Sequence, residues 1–220
     1  MDTFFTAARK AMVESQIRPN KVIDEAVIAA FQSVPREQFV PKQMREIAYV
    51  DEDIAVSNGR YLVEAMVLAR MVQALELQNK ENMLLVGAGT GYSAAIFSHL
   101  VSSVIAIESR APLVQKAEDN LAELQIDNVA VIKGRLADGY AGEAPFDAIF
   151  IDGGVAEEPS ELLTQLGPNG VLASIWRPDE RSAGEASLWH RAGDQFVRRG
   201  LFNAQVPVLE EFKAKPAFAF

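Results

Sequence analysis

The feature that most constrains the fold is an alternation of short apolar runs with amphipathic stretches, which begins at residue 83. The apolar runs lie at 83–86, 103–108, 129–133, 147–151 and 170–176, and helices are predicted near 91–100, 111–124 and 159–166. This pattern predicts an α/β fold with a doubly wound, mostly parallel sheet and helices on both faces. Three later strand-like pieces are expected to extend the sheet in the antiparallel sense, at 187–192, 195–202 and 205–209.

The part before residue 78 is predicted to be mainly helical. Helical spacing indicates helices over 3–17 and 62–76, and a short helical stretch near 41–46. Asp24 is placed to cap a further helix over 25–33. The acidic segment 50–60 is expected to be irregular.

Composition excludes several classes of function. The formal net charge of −9 argues against a protein that binds the nucleic-acid backbone, whose affinity comes from clustered cations. The absence of cysteine and the presence of only two histidines argue against a disulfide framework and a metal centre. No apolar run reaches the roughly 18–20 residues that span a bilayer, and the N-terminus lacks the charge order of a signal peptide. A cytoplasmic protein without a membrane or nucleic-acid partner is expected.

The stretch MLLVGAGTGYSA, residues 83–94, contains the most informative motif. Its glycines, Gly87, Gly89 and Gly91, follow a buried strand, where a glycine-rich turn lets a cofactor approach the backbone. The dinucleotide fingerprint needs its third glycine one residue later, where this chain has Tyr92. The spacing instead resembles motif I of S-adenosylmethionine-dependent methyltransferases, and a nicotinamide cofactor is less favoured.

Glu108 ends the second strand of the alternating part, about 17 residues past Gly91. A carboxylate at this position can accept hydrogen bonds from both hydroxyls of a ribose. The alternative is that Glu108 is a solvated acid at a strand end and that the glycines form an ordinary tight turn. Taken together, the turn, its spacing and the acid favour a nucleoside-type cofactor.

Several stretches along nearly the whole chain resemble protein-L-isoaspartate O-methyltransferases. The segment VPREQFVP, residues 34–41, is the most characteristic, and it lies in an N-terminal region MVESQIRPNKVIDEAVIAAFQSVPREQFVP that is followed by AYVDEDIAV. The resemblance continues through GRYLVEAMVLARMVQAL, LLVGAGTGY, NVAVIKGR, EAPFDAIF and QLGPNGVLASI. It is weaker over residues 178–205.

This resemblance implies a Rossmann-like methyltransferase core over 79–220 and N-terminal helices and substrate-covering loops over 1–78, packed on the same domain. It also implies a peptide or protein substrate, whose isoaspartyl carboxylate receives a methyl group from S-adenosylmethionine. Such a carboxylate is already ionised at pH 7, so neither histidine needs a catalytic role. The expected cofactor-binding residues are Gly87, Ala88, Gly89, Thr90, Gly91, Glu108, Ser109, Arg135 and Leu136.

The chain departs from the family pattern on the substrate side. Where the family has a Thr-Ile-Ser type of segment before the helix that precedes motif I, this chain has Tyr61, Leu62 and Val63. The phenol of Tyr61 keeps a hydrogen-bond donor, but Val63 has none. Asp152 is a new acid after the fourth strand, where it is expected to orient a substrate amine or hydroxyl, to help hold a metal, or to support a Gly-Gly bend. We take Tyr61, Val63 and Asp152 as the candidate catalytic positions.

The cofactor side departs as well. Leu85 replaces an acid that often lies two residues before the first glycine of the motif, and Gly134-Arg135 replaces a Gly-Asp pair whose acid faces adenine. An arginine cannot accept a hydrogen bond from the adenine amino group, although it can stack on the ring. Three functions therefore stay open: a carboxyl methyltransferase of the repair family, a non-catalytic binding or regulatory protein on the same fold, and a methyltransferase that uses Asp152 for another nucleophile.

Overall fold

The computed structural model describes residues 2–78, 81–179, 182–193 and 195–214. Within these ranges the α-helices are α1 (Asp2–Met12), α2 (Glu25–Ser33), α3 (Ala65–Ala74), α4 (Tyr92–Ser98), α5 (Ala111–Glu123) and α6 (Ser160–Leu163). The strands are β1 (Ile54–Ser57), β2 (Arg60–Leu62), β3 (Asn82–Val86), β4 (Ser103–Glu108), β5 (Val129–Lys133), β6 (Phe146–Val155), β7 (Leu166–Trp176), β8 (Glu185–Ala192) and β9 (Gln195–Asn203).

The main sheet confirms the predicted doubly wound architecture. Its strand order is β5-β4-β3-β6-β7-β8-β9. The first five strands pair in parallel, while β8 and β9 extend the sheet in the antiparallel sense. The direction of winding changes between β3 and β6, and open α/β sheets bind ligands outside the carboxyl ends of the strands at such a point. The glycine turn that follows β3 lies there.

The N-terminal helices form largely where the sequence predicts them. Asp24 caps α2, and its Oδ1 accepts hydrogen bonds from the backbone N–H groups of Ala26 and Val27 at 2.8 and 3.3 Å. The first predicted helix runs as α1 and continues as a π-helical turn over Val13–Ile17. A 3₁₀ stretch over Lys42–Ile47 takes the place of the short helix expected near 41–46.

Three local expectations were wrong. The segment 50–60 is not wholly irregular, because β1 and β2 pair as a hairpin whose turn includes Gly59 at φ 67°. The piece 205–209 is not a strand of the sheet: it makes a single bridge, between Gly154 and Val208, and Pro207 has no N–H for a ladder. The third difference is that β6 continues past residue 151 to Val155 and places Asp152 inside the strand.

The core lies on both faces of the sheet. On one face, helices α1 to α4 pack in a continuous apolar cluster that runs from Met12 through Met83 to Val206. On the other face, Leu136, Leu209 and Phe212 belong to a second cluster with β3, β6 and β7. The first cluster includes residues on both sides of the boundary proposed at 78/79, and the division into two parts stays a prediction. None of the described helices has the length and apolar content needed to cross a bilayer.

Candidate cofactor and substrate site

The glycine turn between β3 and α4 is a buried backbone segment that uses left-handed conformations. Gly87 and Gly91 have φ values of 86° and 94°, in the left-handed region that favours glycine. A Cβ added at Gly91 would lie 3.2 Å from the Cβ of Ala117, so this glycine lets α5 approach the turn closely. The backbone N–H groups of Gly87 and Ala88 donate to the carbonyl of Ile107 on β4, at 2.9 and 3.1 Å. The local sequence thus builds the turn for packing as well as for ligand approach.

The N-terminal part of the chain holds the far side of this turn. The hydroxyl of Thr90 donates to the carbonyl of Phe39 at 2.6 Å, within the VPREQFVP segment. Tyr92 is buried and makes edge-on contacts with Phe31 and Phe39, with ring centroids 6.3 and 5.4 Å apart. The guanidinium of Arg36 lies 5.0 Å from the centre of the Tyr92 ring. Tyr92 therefore joins the turn to the N-terminal helices.

Glu108 lies at the carboxyl end of β4, as expected for a ribose-binding acid, but its oxygens are already bonded. Arg60 donates from Nε to Oε2 at 3.0 Å and from Nη2 to Oε1 at 3.2 Å. Three backbone N–H groups donate as well, those of Gly89, Ser109 and Arg110, at 3.0, 2.8 and 3.1 Å. A carboxylate offers about four lone-pair sites, so its acceptor capacity is used by the protein itself.

Arg60 is the residue of this site that sequence reasoning missed. It lies on β2 with 1% of its side chain exposed, opposite a Glu108 that is fully buried. Burial opposes its charge, but the hydrogen bonds that Arg60 donates to Glu108 and Glu211, with the charges of these carboxylates, outweigh that effect and raise the pKa of Arg60 above its usual value. No sequence signal pairs residues that are 48 positions apart, and the hairpin that carries Arg60 was itself not expected.

The segment 204–213 packs against the glycine turn that follows β3. A Cβ added at Gly87 would lie 3.2 Å from Cδ1 of Leu209, and one added at Gly153 would lie 2.6 Å from its Cγ. Leu209 is 3% exposed and Phe212 is 8% exposed. The space beside Gly87 is thus filled by the apolar side chain of Leu209.

S-adenosylmethionine does not fit these residues in this conformation. The glycine turn has the backbone geometry for a close ligand, but Glu108 has no free acceptor and Leu209 occupies the face of Gly87. The obstruction comes from the side chain of Arg60 and from the segment 204–213.

The remaining expected cofactor residues lie in different environments. The Ser109 hydroxyl donates to Oε1 of Glu211 at 2.6 Å, so Ser109 belongs to the Arg60 network. Leu136 is fully buried in the apolar cluster that contains Leu209. The side chain of Arg135 is 82% exposed and pairs with Asp138 at 3.5 Å, outside the buried group. The binding roles of these residues stay predictions.

Asp152 lies in an irregularity of β6, where three residues stand between the pairs Phe150–Ala173 and Gly154–Ile175. Its Oδ2 accepts from the Ser93 hydroxyl at 2.6 Å, and its buried Oδ1 has no hydrogen-bond partner among the described residues. Burial raises the pKa of Asp152 to about 7. Asp152 thus keeps, inside β6, a buried carboxyl oxygen whose hydrogen-bonding capacity the described residues leave unused.

The other two candidate catalytic positions lie on either side of the end of β2. Tyr61 is partly exposed and lines a cleft of about 390 Å³ together with Asn58, Arg177 and Lys213. Val63 is 6% exposed, and it contributes its carbonyl, which accepts from Nη2 of Arg36 at 2.8 Å. The side chain of Val63 is therefore part of the core, while Tyr61 faces the cleft.

Fold and site together define a class, the Rossmann-like methyltransferases: a mostly parallel seven-stranded sheet with a glycine turn at the switch point and an acid at the end of the next strand. The sequence profile of the family "Protein-L-isoaspartate(D-aspartate) O-methyltransferase (PCMT)" matches residues 7–182. The chain belongs to this family, whose members are S-adenosylmethionine-dependent carboxyl methyltransferases that act on proteins.

Curated relatives and solved structures agree with this assignment. A protein-L-isoaspartate O-methyltransferase of Rhodospirillum centenum is 37% identical over 211 residues, which cover 94% of each chain. The enzyme of Methanoculleus marisnigri is 35% identical over 172 residues, 78% of each chain. A solved protein-L-isoaspartate O-methyltransferase superposes with a TM-score of 0.81 at 22% identity, over 93% of this chain and 67% of its own, and shows the same fold.

Proposed function

We propose that this chain is an S-adenosylmethionine-dependent carboxyl methyltransferase that acts on isoaspartyl or D-aspartyl residues of damaged proteins. The observation that carries the proposal is the glycine turn at the switch point of the sheet, in a chain whose family match spans residues 7–182. Its relatives of 35–37% identity are named for this activity. A cytoplasmic location stays a prediction, as does the absence of a nucleic-acid partner, which the net charge of −9 supports.

The cleft beside Tyr61 supports a substrate whose reacting group is a carboxylate. It is lined by the Tyr61 phenol and by the charged side chains of Arg177, Lys213 and Glu210, and Glu210 pairs with Lys213 at 2.8 Å. Cations and hydroxyl donors bind carboxylates through charge-assisted hydrogen bonds. Because Glu210 pairs with Lys213, the Tyr61 phenol and the Arg177 guanidinium are the donors of this cleft that suit a substrate carboxylate.

The test is transfer of a labelled methyl group to an isoaspartyl peptide, compared with its normal aspartyl twin, at millimolar S-adenosylmethionine. We expect label on the isoaspartyl peptide alone. A Gly89→Val variant should lose transfer, because residue 89 has φ 55° and its N–H donates to Glu108. Gly142→Val is the matched control, since a Cβ there meets no atom within 4 Å. Equal labelling of both peptides would contradict the proposed specificity.

A second candidate function is a binding or regulatory protein that has kept the fold without turnover. The observation that favours it is the complete use of the Glu108 oxygens by Arg60 and three backbone N–H groups. This candidate would be supported if calorimetry shows that S-adenosylhomocysteine binds while the transfer assay labels neither peptide. Transfer to an amine or a hydroxyl that Asp152→Asn abolishes would instead indicate the use of another nucleophile.

A further inference from the structure

The buried guanidinium of Arg60 occupies the acceptor atoms of Glu108 that a ribose would need. Its two nitrogens are 3.0 and 3.2 Å from the two carboxylate oxygens, a spacing that resembles the two-point contact of a ribose diol. Buried ion pairs are weak evidence for stability, because desolvation offsets their attraction. This pair therefore calls for an explanation other than stability.

Arg60 is in turn held from the C-terminal side. We name residues 204–213 the C-terminal strap. Within it, Oε1 of Glu211 accepts from Nη2 of Arg60 at 3.1 Å and from the Ser109 hydroxyl at 2.6 Å. The Glu211 side chain is 26% exposed, whereas Arg60 is 1% exposed. The Glu211 carboxylate of the strap is thus partly exposed to solvent, whereas the Arg60 guanidinium that it binds is buried.

The strap is anchored along β6 by its backbone as well. The N–H of Gly154 donates to the carbonyl of Pro207 at 2.9 Å, and the N–H of Leu209 donates to the carbonyl of Gly154 at 3.0 Å. This short ladder places the Leu209 side chain against Gly87 and Gly153, two glycines that have no side chain of their own on that side. Arg60 and Leu209 therefore close the polar and the apolar side of one cleft.

We propose that the C-terminal strap is an autoinhibitory cover of the nucleoside cleft, in which Arg60 takes the place of the ribose and Leu209 the place beside the glycine turn. The inference rests on the proposed function, because it names what the cover excludes: an adenine nucleoside that carries the methionine portion. Cofactor binding then requires a state in which Arg60 leaves Glu108 and Leu209 leaves Gly87. A ligand that binds only this open state has an apparent affinity reduced by the fraction of open molecules.

The test measures binding of S-adenosylhomocysteine by calorimetry to the wild type, Glu211→Gln, Leu209→Ala and the double variant. Minor states are commonly populated at about 0.1–10%, so we expect the double variant to bind about 10- to 1,000-fold more tightly than the wild type. Glu210→Gln is the matched control, because it changes the same charge one residue away, where Glu210 pairs with Lys213 and not with Arg60. This control should bind like the wild type.

The outcomes separate the two proposals. If the wild type and the double variant bind equally tightly, the cover is wrong and the proposed function stands. If no variant binds at millimolar ligand while circular dichroism shows that each is folded, the cleft is not a cofactor site and the proposed function fails together with the cover.

A reversible lock tests the same cover without relying on weakened packing. The chain has no cysteine, so Gly153→Cys with Leu209→Cys introduces a single disulfide. A Cβ at residue 153 lies 2.6 Å from Cγ of Leu209, which brings the two new Cβ atoms within the roughly 4 Å that a disulfide needs. We expect the oxidised form to bind at least 10-fold more weakly than the reduced form. Equal binding by the two forms would overturn the proposal.

Discussion

Asp152 has a carboxyl group that the fold keeps close to half-protonated at neutral pH. Burial is the main reason that its pKa rises from 3.8 to about 7, and the charge of Asp53 adds to the rise. The hydrogen bond from Ser93 and the charges of Arg36 and Arg60 act in the opposite direction. Because burial disfavours the ionised form, Asp152 stays protonated in the native chain between about pH 4 and pH 7, a range in which it is ionised in the unfolded chain.

The raised pKa predicts a pH-dependent gain in stability for Asp152→Asn. Since the native state binds more protons in this window, the free energy of unfolding of the wild type falls as pH rises through it. One pKa unit corresponds to about 1.4 kcal/mol, and the residue keeps partial exposure, so we expect the variant to gain about 2 kcal/mol relative to the wild type between pH 5 and pH 8. Urea unfolding at the two pH values measures this difference.

The control for this prediction is Asp127→Asn, which changes an exposed acid elsewhere on the surface. Its stability relative to the wild type should change little between the two pH values. If Asp152→Asn behaves in the same way as Asp127→Asn, the pKa of Asp152 is not raised in the folded chain.

Residue by residue, the sequence identified Glu108 and Asp152 but not the side chains that bond them. Glu108 was predicted because strand ends are readable from apolar periodicity. Arg60 was missed because its pairing depends on a hairpin and on the strap, which come together only in the folded chain. For Arg135 the position after β5 was predicted, but the direction of the side chain was not: it points to solvent and pairs with Asp138.

At the level of elements, helix α5 packs closely against Gly91, the N-cap residue of α4. Gly91 has φ 94°, and its α carbon faces Ala117 of α5. A side chain at this position meets two costs, a left-handed backbone that is worth about 1–2 kcal/mol and the overlap with Ala117. The third glycine of the motif therefore serves helix packing.

Gly91→Ala should lower the free energy of unfolding by about 2–4 kcal/mol. Gly142→Ala is the matched control, because Gly142 has no positive φ and no atom within 4 Å of an added Cβ, and it should change stability by less than about 0.5 kcal/mol. Adding Ala117→Gly to Gly91→Ala removes the steric part but leaves the backbone strain. Denaturant unfolding of the four proteins tests this, and equal stability of the two alanine variants would contradict it.

The elements that the sequence predicted well are those whose periodicity is long and regular. The strands from β3 to β9 and the helices α4 and α5 follow the alternation from residue 83 closely. The hairpin of β1 and β2 has only four and three residues, too few for alternation to be recognised. The piece 205–209 has a strand-like composition, but its apolar residues cover the glycine turn instead of joining the sheet.

On the scale of the whole molecule, the core joins the N-terminal helices to the sheet. One apolar cluster contains Val13 and Phe31 from the N-terminal part together with Leu85 and Phe97 from the sheet region. Among the polar links, the hydroxyl of Thr90 donates to the carbonyl of Phe39 at 2.6 Å. A cofactor turn that is held from both sides cannot be complete in either part alone.

This continuity predicts that the chain unfolds as one cooperative unit. Scanning calorimetry should give a single transition with equal calorimetric and van't Hoff enthalpies and a heat-capacity change of roughly 3 kcal/mol/K for a chain of this length. The fragment 79–220 should not fold by itself, because it lacks the Phe31 and Phe39 rings against which Tyr92 packs. Two separate transitions, or a cooperative transition in the fragment, would instead establish two independent domains, and the glycine turn would then need no N-terminal support.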